Sequence, residues 1–255
     1  MKVIAYTALH YGRDYLAYAI RSVIDHVDEY HVLYTSIGSH GHRTERPCPE
    51  TRDELYAIAA GVAGVKLHWH EGEWPYEGAQ RDMIFRVAPD ADVIVTLDAD
   101  EIWPLPVVLS AIGQYSEALL IGCKTWRVPI IHFWRSFHKA VLHDPAYPVR
   151  VIFPQIKHTW DGDSYVNWYG VEARYINHMG YAQRPEIIEY KQHTHGHKNE
   201  WRRDVDWFKD VFMANRQYDC HPVGSEYWNP ETVNPWDYLP DWMKTHPYAN
   251  REVIE

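Results

Sequence analysis

The stretch Val93-Ile94-Val95-Thr96-Leu97-Asp98-Ala99-Asp100-Glu101 decides how this chain is read. Its Val, Ile and Leu residues read as a strand buried on both faces, as strands of parallel sheets are. Three acids then crowd its carboxyl end, with only Ala99 among them. Like charges this close repel, so a fold that keeps them must offset the repulsion. A divalent cation is the natural counter-charge, because hard cations take carboxylate oxygens. Ligand crevices in open α/β sheets lie outside the carboxyl ends of strands. The segment therefore reads as a metal site where a ligand site is expected. The plainer alternative is a solvated strand-to-helix turn with an acid near the next helix start.

The rest of the composition fits one large domain or two intimate halves with ample core. The chain has 255 residues, 46% hydrophobic and 24% charged. There is no repeat and no low-complexity tract. The opening Met1-Lys2-Val3-Ile4-Ala5-Tyr6 is too briefly apolar for a signal peptide or a membrane span. Cys48, Cys123 and Cys220 are far apart and odd in number, which predicts a reduced, cytoplasmic protein. A formal charge of −10 argues against a large sequence-independent grip on nucleic acid. The 12 Trp and 19 Tyr thicken in the second half, where rigid rings suit both cores and stacking on sugars or bases.

Working outward, strands alternate with helices. Lys2 to Thr7, His31 to Thr35 and the alternating Val65, Leu67 and Trp69 read as strands. Asp14 to Val27, Thr51 to Val62 and the segment opening at Gly78-Ala79-Gln80-Arg81-Asp82 read as helices. Pro104 to Tyr115 reads as a further helix and Ala118 to Cys123 as a further strand. This order implies βαβ units and a mostly parallel sheet with right-handed crossovers. After about residue 125 the chain becomes aromatic and Pro-broken, with a short strand expected at Val149 to Phe153. A helix is expected over Asn199 to Met213, and the tail from Pro222 is expected to wrap the surface. The expected division is a nucleotide-sugar-binding half, 1–125, and an acceptor-binding half with its C-terminal wrap, 126–255, in one compact unit.

Several short motifs, taken in order, resemble the family 2 group of GT-A fold glycosyltransferases. Val3-Ile4-Ala5-Tyr6-Thr7, with Tyr15-Leu16 and Ile20-Arg21-Ser22-Val23-Ile24, resembles that family's opening strand and helix. Gly78-Ala79-Gln80-Arg81 resembles its segment near the nucleotide, and Leu97-Asp98-Ala99-Asp100-Glu101 its metal-binding Asp-x-Asp segment. His178-Met179-Gly180-Tyr181 resembles a His-x-Gly-Tyr segment of some members. The likeness runs over roughly residues 3 to 200 and is weakest at the catalytic base. It implies a GT-A α/β fold, with an aromatic-rich acceptor half following the donor half. It also implies a metal-dependent transfer of a sugar from a nucleotide-sugar, a UDP-sugar being the expected donor, to an acceptor hydroxyl; inversion is the expected course if a general base is present, and a retaining enzyme would not need one.

The chemistry assigns expected roles. Mn²⁺ or Mg²⁺ would bridge the donor's phosphates as a Lewis acid. Asp100 is the expected direct ligand, and the resemblance implies that Asp98 contacts ribose or a metal-bound water. Both acids can serve one site only if the backbone turns between them. His178 is either a further metal ligand or a core histidine bonded to backbone. Arg81 is either a phosphate fork or half of a helix-surface salt bridge. The resemblance implies Thr7 and Tyr11 near base or ribose and Gln80 near the nucleotide, while Lys191 and Lys198, beside the histidines at 193–197, are expected near the donor's phosphates. An acceptor hydroxyl needs a general base. Asp161, in His158-Thr159-Trp160-Asp161-Gly162-Asp163, is the first choice, with Asp163 and Glu172 behind it and a solvated turn as the alternative.

Two other function classes compete. His193-Thr194-His195-Gly196-His197 would present alternate histidines on one face of a strand, as a metal hydrolase needs. A non-catalytic carbohydrate- or nucleic-acid-binding module would use the aromatics alone. A saccharide is the favoured acceptor. A hydroxymethylated DNA base flipped against Trp160, Trp168 and Tyr169 is the other specific candidate.

Overall fold

The computed structural model describes residues 1–38, 44–142, 144, 148–155, 165–167 (backbone only), 175–194, 200–202, 204–224 and 228–254. The first half runs β1 (Val3–Leu9), α1 (Leu16–Val23), β2 (Glu29–Tyr34), α2 (Arg52–Ala63), β3 (Leu67–Glu71), α3 (Glu77–Asp82), α4 (Ile84–Val87) and β4 (Val93–Thr96). Then come β5 (Glu101–Ile102), α5 (Leu105–Gly113), α6 (Tyr115–Ile121), β6 (Thr125–Arg127), β7 (Ile130–Trp134) and β8 (Lys139–Val141). The remainder has β9 (Val149–Ile152), β10 (Tyr165–Asn167), β11 (Ile176–Tyr181), α7 (Pro185–Thr194), a π-helical turn (Trp207–Met213) and β12 (Glu231–Thr232).

A seven-stranded sheet has the order β10-β6-β9-β4-β1-β2-β3. Strands β4, β1, β2 and β3 are parallel, and β9 runs antiparallel between β4 and β6. The expected α/β architecture with a mostly parallel sheet is therefore present. The apolar runs have the reason proposed for them: both faces of the central strands are covered. Val3, Ala5, Val93 and Val95 enter one core with Leu16, Ala19, Ile20 and Val23 of α1. Ile4, Tyr6, Leu33 and Ile94 enter another beneath Ile84 of α4. Strand β3 lies at the sheet's edge, so Leu67 and Trp69 pack inward while His68 is exposed.

A second sheet has the order β12-β8-β7-β11-β5. Its core contains Phe133, Trp134, Phe137, Met179, Trp207 and Phe212. Trp228, Leu239, Met243 and Tyr248 belong to the same core, so the tail is partly an interior element rather than an outer wrap. Among the described residues, no helix is long and apolar enough to cross a membrane.

Three local expectations are corrected. The apolar run read as a strand at Ala118 to Cys123 is instead the end of α6. Leu119, Leu120 and Ile121 are exposed there, and Gly122, at φ 68°, ends the helix in the left-handed region. The helix expected from Asn199 shortens to Trp207–Met213, because the Asp206 side chain accepts from Lys209 N and caps it there. The helix from Asp14 begins at Leu16 and tightens to 3₁₀ geometry at Ile24–His26.

Candidate active site

The acidic segment crosses from one sheet to the other. Strand β4 ends at Thr96, and the chain turns with Glu101 N donating to Asp98 O at 3.0 Å. It enters the second sheet at β5, where Glu101 pairs with His178 of β11. Met179 N donates to Asp100 O at 2.7 Å and fixes the far side of the turn. This turn meets the condition for both acids to face one place. Asp98 and Asp100 line a single cavity of about 820 Å³, together with Tyr11, Arg81, Arg150, His178 and Lys191.

Charge inside the turn is balanced by arginine. Arg150 Nη2 donates to Asp98 Oδ2 at 2.7 Å and to Glu101 Oε1 at 2.6 Å, and its Nε donates to Glu101 Oε1 at 2.9 Å. Arg81 Nη2 donates to the other Asp98 oxygen at 2.7 Å, while its Nε donates to Glu77 at 2.7 Å. Burial works to raise the Asp98 carboxyl, but Arg150 and Arg81 outweigh it and hold Asp98 well below the usual carboxylate range. Glu101 is wholly buried, and burial pushes its carboxyl up against the pull of Arg150. Glu101 thus closes the turn internally. A cation is the counter-charge expected for the segment. For Asp98 and Glu101 that part is played by guanidinium.

Asp100 has a different environment. Its Oδ2 accepts from Gln183 Nε2 at 2.8 Å, and its Oδ1 lies 3.5 Å from His178 Nε2. Burial acts to raise it, but His178 and Lys191 outweigh this and bring it down to about 2. Asp100 is therefore ionised at neutral pH, with an imidazole nitrogen beside it and, among the described residues, no arginine hydrogen-bonded to it. That oxygen-and-nitrogen donor set fits a divalent cation. The ring of His178 has room because residue 180 is glycine: a Cβ there would overlap the imidazole. The Asp-x-Asp turn has a similar demand, since a Cβ on Gly12 would sit 2.5 Å from Ala99 Cβ. Gly12, at φ +149°, is held there by Glu50, whose Oε2 accepts from Gly12 N at 2.7 Å and Arg13 N at 2.8 Å.

The other expected residues divide. Tyr11 lines the cavity. Thr7 does not, because it is fully buried and hydrogen-bonds to Tyr30 in the core. Gln80 is also interior, donating to Leu33 O at 2.6 Å, so it anchors α3 and thereby Arg81. Nη1 of Arg81 has no hydrogen-bond partner among the described residues. Asp161, Asp163, Glu172 and Lys198 lie outside the described residues, as do His195, His197, Trp160, Trp168 and Tyr169. His193 sits in the last turn of α7, so the strand alternation on which the histidine hydrolase rested fails at its first member.

Sequence reasoning missed a polar chain on the opposite strands. His132 Nδ1 and His178 Nδ1 share a hydrogen bond of 2.8 Å. His132 Nε2 is 3.0 Å from Asp144 Oδ2, off the axis of the ring nitrogen. Trp228 Nε1 donates to the same Asp144 oxygen at 2.8 Å. Burial brings His132 down to about 4, so it is neutral at pH 7. The available signal was a lone polar residue inside an apolar run: His132 in Ile130–Trp134 and Arg150 in Val149–Ile152.

No model of a known protein family matches the chain, and no curated protein does. Solved structures with partial likeness to the chain include Staphylococcus aureus TarS 1-349, at 12% identity and a TM-score of 0.37 over 52% of this chain. The chain spans 36% of that TarS segment. A second is the 4-diphosphocytidyl-2C-methyl-D-erythritol synthase of Anaerococcus prevotii, at 12% identity and a TM-score of 0.43 over 75% of this chain and 98% of that one. Likeness at this level assigns no activity, and the functional reading stands on the site itself.

Arg150→Met leaves Asp98 and Glu101 short of their shared partner, and removing one member of a buried ion pair costs about 3–5 kcal/mol. Urea unfolding should show a loss of that size, with part of it recovered in Arg150→Met/Glu101→Gln. Equal stability of wild type and Arg150→Met would contradict the charge balance described above.

Proposed function

We propose that the chain is a divalent-metal-dependent glycosyltransferase that moves a sugar from a nucleoside-diphosphate sugar, of which UDP-sugar is the first candidate, to an acceptor hydroxyl. The observation that carries this reading is the pairing of Asp100 with His178 in a cavity at the carboxyl end of β4, beside Arg81 and Lys191. A cavity of about 820 Å³ is of the size that accepts a ligand this large. Asp100 and His178, with Asp98 behind them, are the residues that would hold Mn²⁺ or Mg²⁺. The bound metal would supply Lewis-acid stabilisation of the departing diphosphate.

The chain's own groups account for the other requirements. Arg81 and Lys191 line the cavity and bring two positive charges toward the donor's phosphates. Trp201 and Trp228 also line the cavity, and rings of this kind stack on sugars. A saccharide acceptor suits them, and the charge of −10 gives no general attraction to DNA. For direct displacement with inversion, Asp144 is the described carboxylate best placed as base. It lines the same cavity and is oriented by the Trp228 N–H. It would take the acceptor's hydroxyl proton as the acceptor oxygen bonds to the sugar's anomeric carbon and the bond to the diphosphate breaks. Asp161, Asp163 and Glu172 remain the alternatives for this role.

The reading predicts that one nucleoside diphosphate raises the melting temperature only when Mn²⁺ or Mg²⁺ is present, and that Asp100→Asn abolishes the shift. No shift with any nucleotide would sink it. For the base, Asp144→Asn should lower kcat by about 10²–10⁴-fold while nucleotide binding is retained. A variant with unchanged kcat would return the role to the other acids.

A further inference from the structure

A second group of side chains with metal-ligating atoms sits at the other end of the sheet. Glu29 and His31 open β2, and His68 is the second residue of the edge strand β3. Strands β2 and β3 are parallel with His31 beside His68, so these residues lie near the strands' amino ends. The cavity with Asp98 and Asp100 lies beyond the carboxyl ends, and none of the three lines it. One donor atom from each of Glu29, His31 and His68 lies within 4.8 Å of the others.

The local geometry is that of a ligand set with its support. Lys2 Nζ pairs with Glu29 Oε1 at 2.7 Å and turns Oε2 toward His31 Nε2, 2.9 Å away. The His68 ring lies nearly parallel to that of His31, with centroids 4.7 Å apart and an interplanar angle of 13°. The opposite nitrogen of His31, Nδ1, is hydrogen-bonded to His70 Nε2 at 3.1 Å. Metal-ligating histidines commonly have their second nitrogen engaged in this way, which fixes tautomer and ring orientation. His31 is buried, so its place between Glu29 and His70 is fixed by the surrounding strands.

We propose that Glu29, His31 and His68 form a binding site for a borderline divalent cation of the Zn²⁺ class, with His70 as the positioning residue behind His31. Two imidazoles and one carboxylate leave the fourth tetrahedral position to water, which the exposed His68 side admits. Nitrogen-rich donors favour Zn²⁺ or Co²⁺ over the Mg²⁺ that an oxygen-rich site takes. The bound cation would clasp the edge strand β3 to β2.

The test is Co²⁺ titration of the full chain, followed by its visible d–d absorption, in excess Mg²⁺ and in the Asp100→Asn background. The expected result is one equivalent bound with the strong absorption of a tetrahedral site, displaced by Zn²⁺. His68→Ala and Glu29→Gln should each remove that absorption while keeping the melting temperature measured in chelator. His70→Ala should weaken Co²⁺ binding by about 10–100-fold, the effect usual for an outer partner. Absence of the tetrahedral absorption in wild type, or its survival in both His68→Ala and Glu29→Gln, would overturn the proposal.

Discussion

The structure depends on a half-buried guanidinium between two carboxylates. Arg150 reaches from β9 to Asp98 and Glu101. That contact lets an acidic segment turn out of the main sheet and start the second one. Without it, Asp98 and Glu101 would face each other across a tight turn in a poorly solvated place, and the turn would have to open. Arg81 supplies the second half of the balance from α3. With those two acids satisfied, Asp100 is left ionised beside His178 and Gln183, with no arginine paired to it among the described residues. Separating a structural pair of acids from an available one is what turns a charged turn into a site.

Two close backbone approaches keep the arrangement in place. Gly12 meets Ala99 on one side of the turn, and Gly180 leaves space for the His178 ring on the other. Glu50 ties the Gly12 loop, and Arg184 binds Glu50 from the start of α7 while also pairing with Asp14 at 2.9 Å. The cavity floor is therefore braced from both sheets. Elements distant in sequence from Asp98 determine its geometry, which limits how far the site can shift without disturbing the core.

Much of the first half was legible because its period is simple. Val93 to Thr96 reads as a doubly buried strand for the reason the structure shows, with Val93 and Val95 in one core and Ile94 in the other. The acids stand out because nothing apolar separates them except Ala99. The partners were not legible. Arg150 lies 49 residues from Glu101, and no local pattern states that a lone arginine in an apolar strand will turn toward it. His132 and Asp144 were missed for the same reason. Leu119 to Ile121 misled because an apolar run is taken to be buried, whereas these side chains are exposed on the last turn of a helix. Thr7 misled because the strand reads as ending there, whereas β1 runs on to Leu9 and the Thr7 side chain faces Tyr30 and the core.

The central claim is that Asp100, and not Glu101, is the acid of this segment available to a metal. Electron paramagnetic resonance of Mn²⁺ with a nucleoside diphosphate, on wild type, Asp100→Asn and Glu101→Gln, tests it most directly. The account predicts that bound Mn²⁺ disappears in Asp100→Asn and persists in Glu101→Gln. Equal retention in both variants, or loss in Glu101→Gln alone, would contradict it.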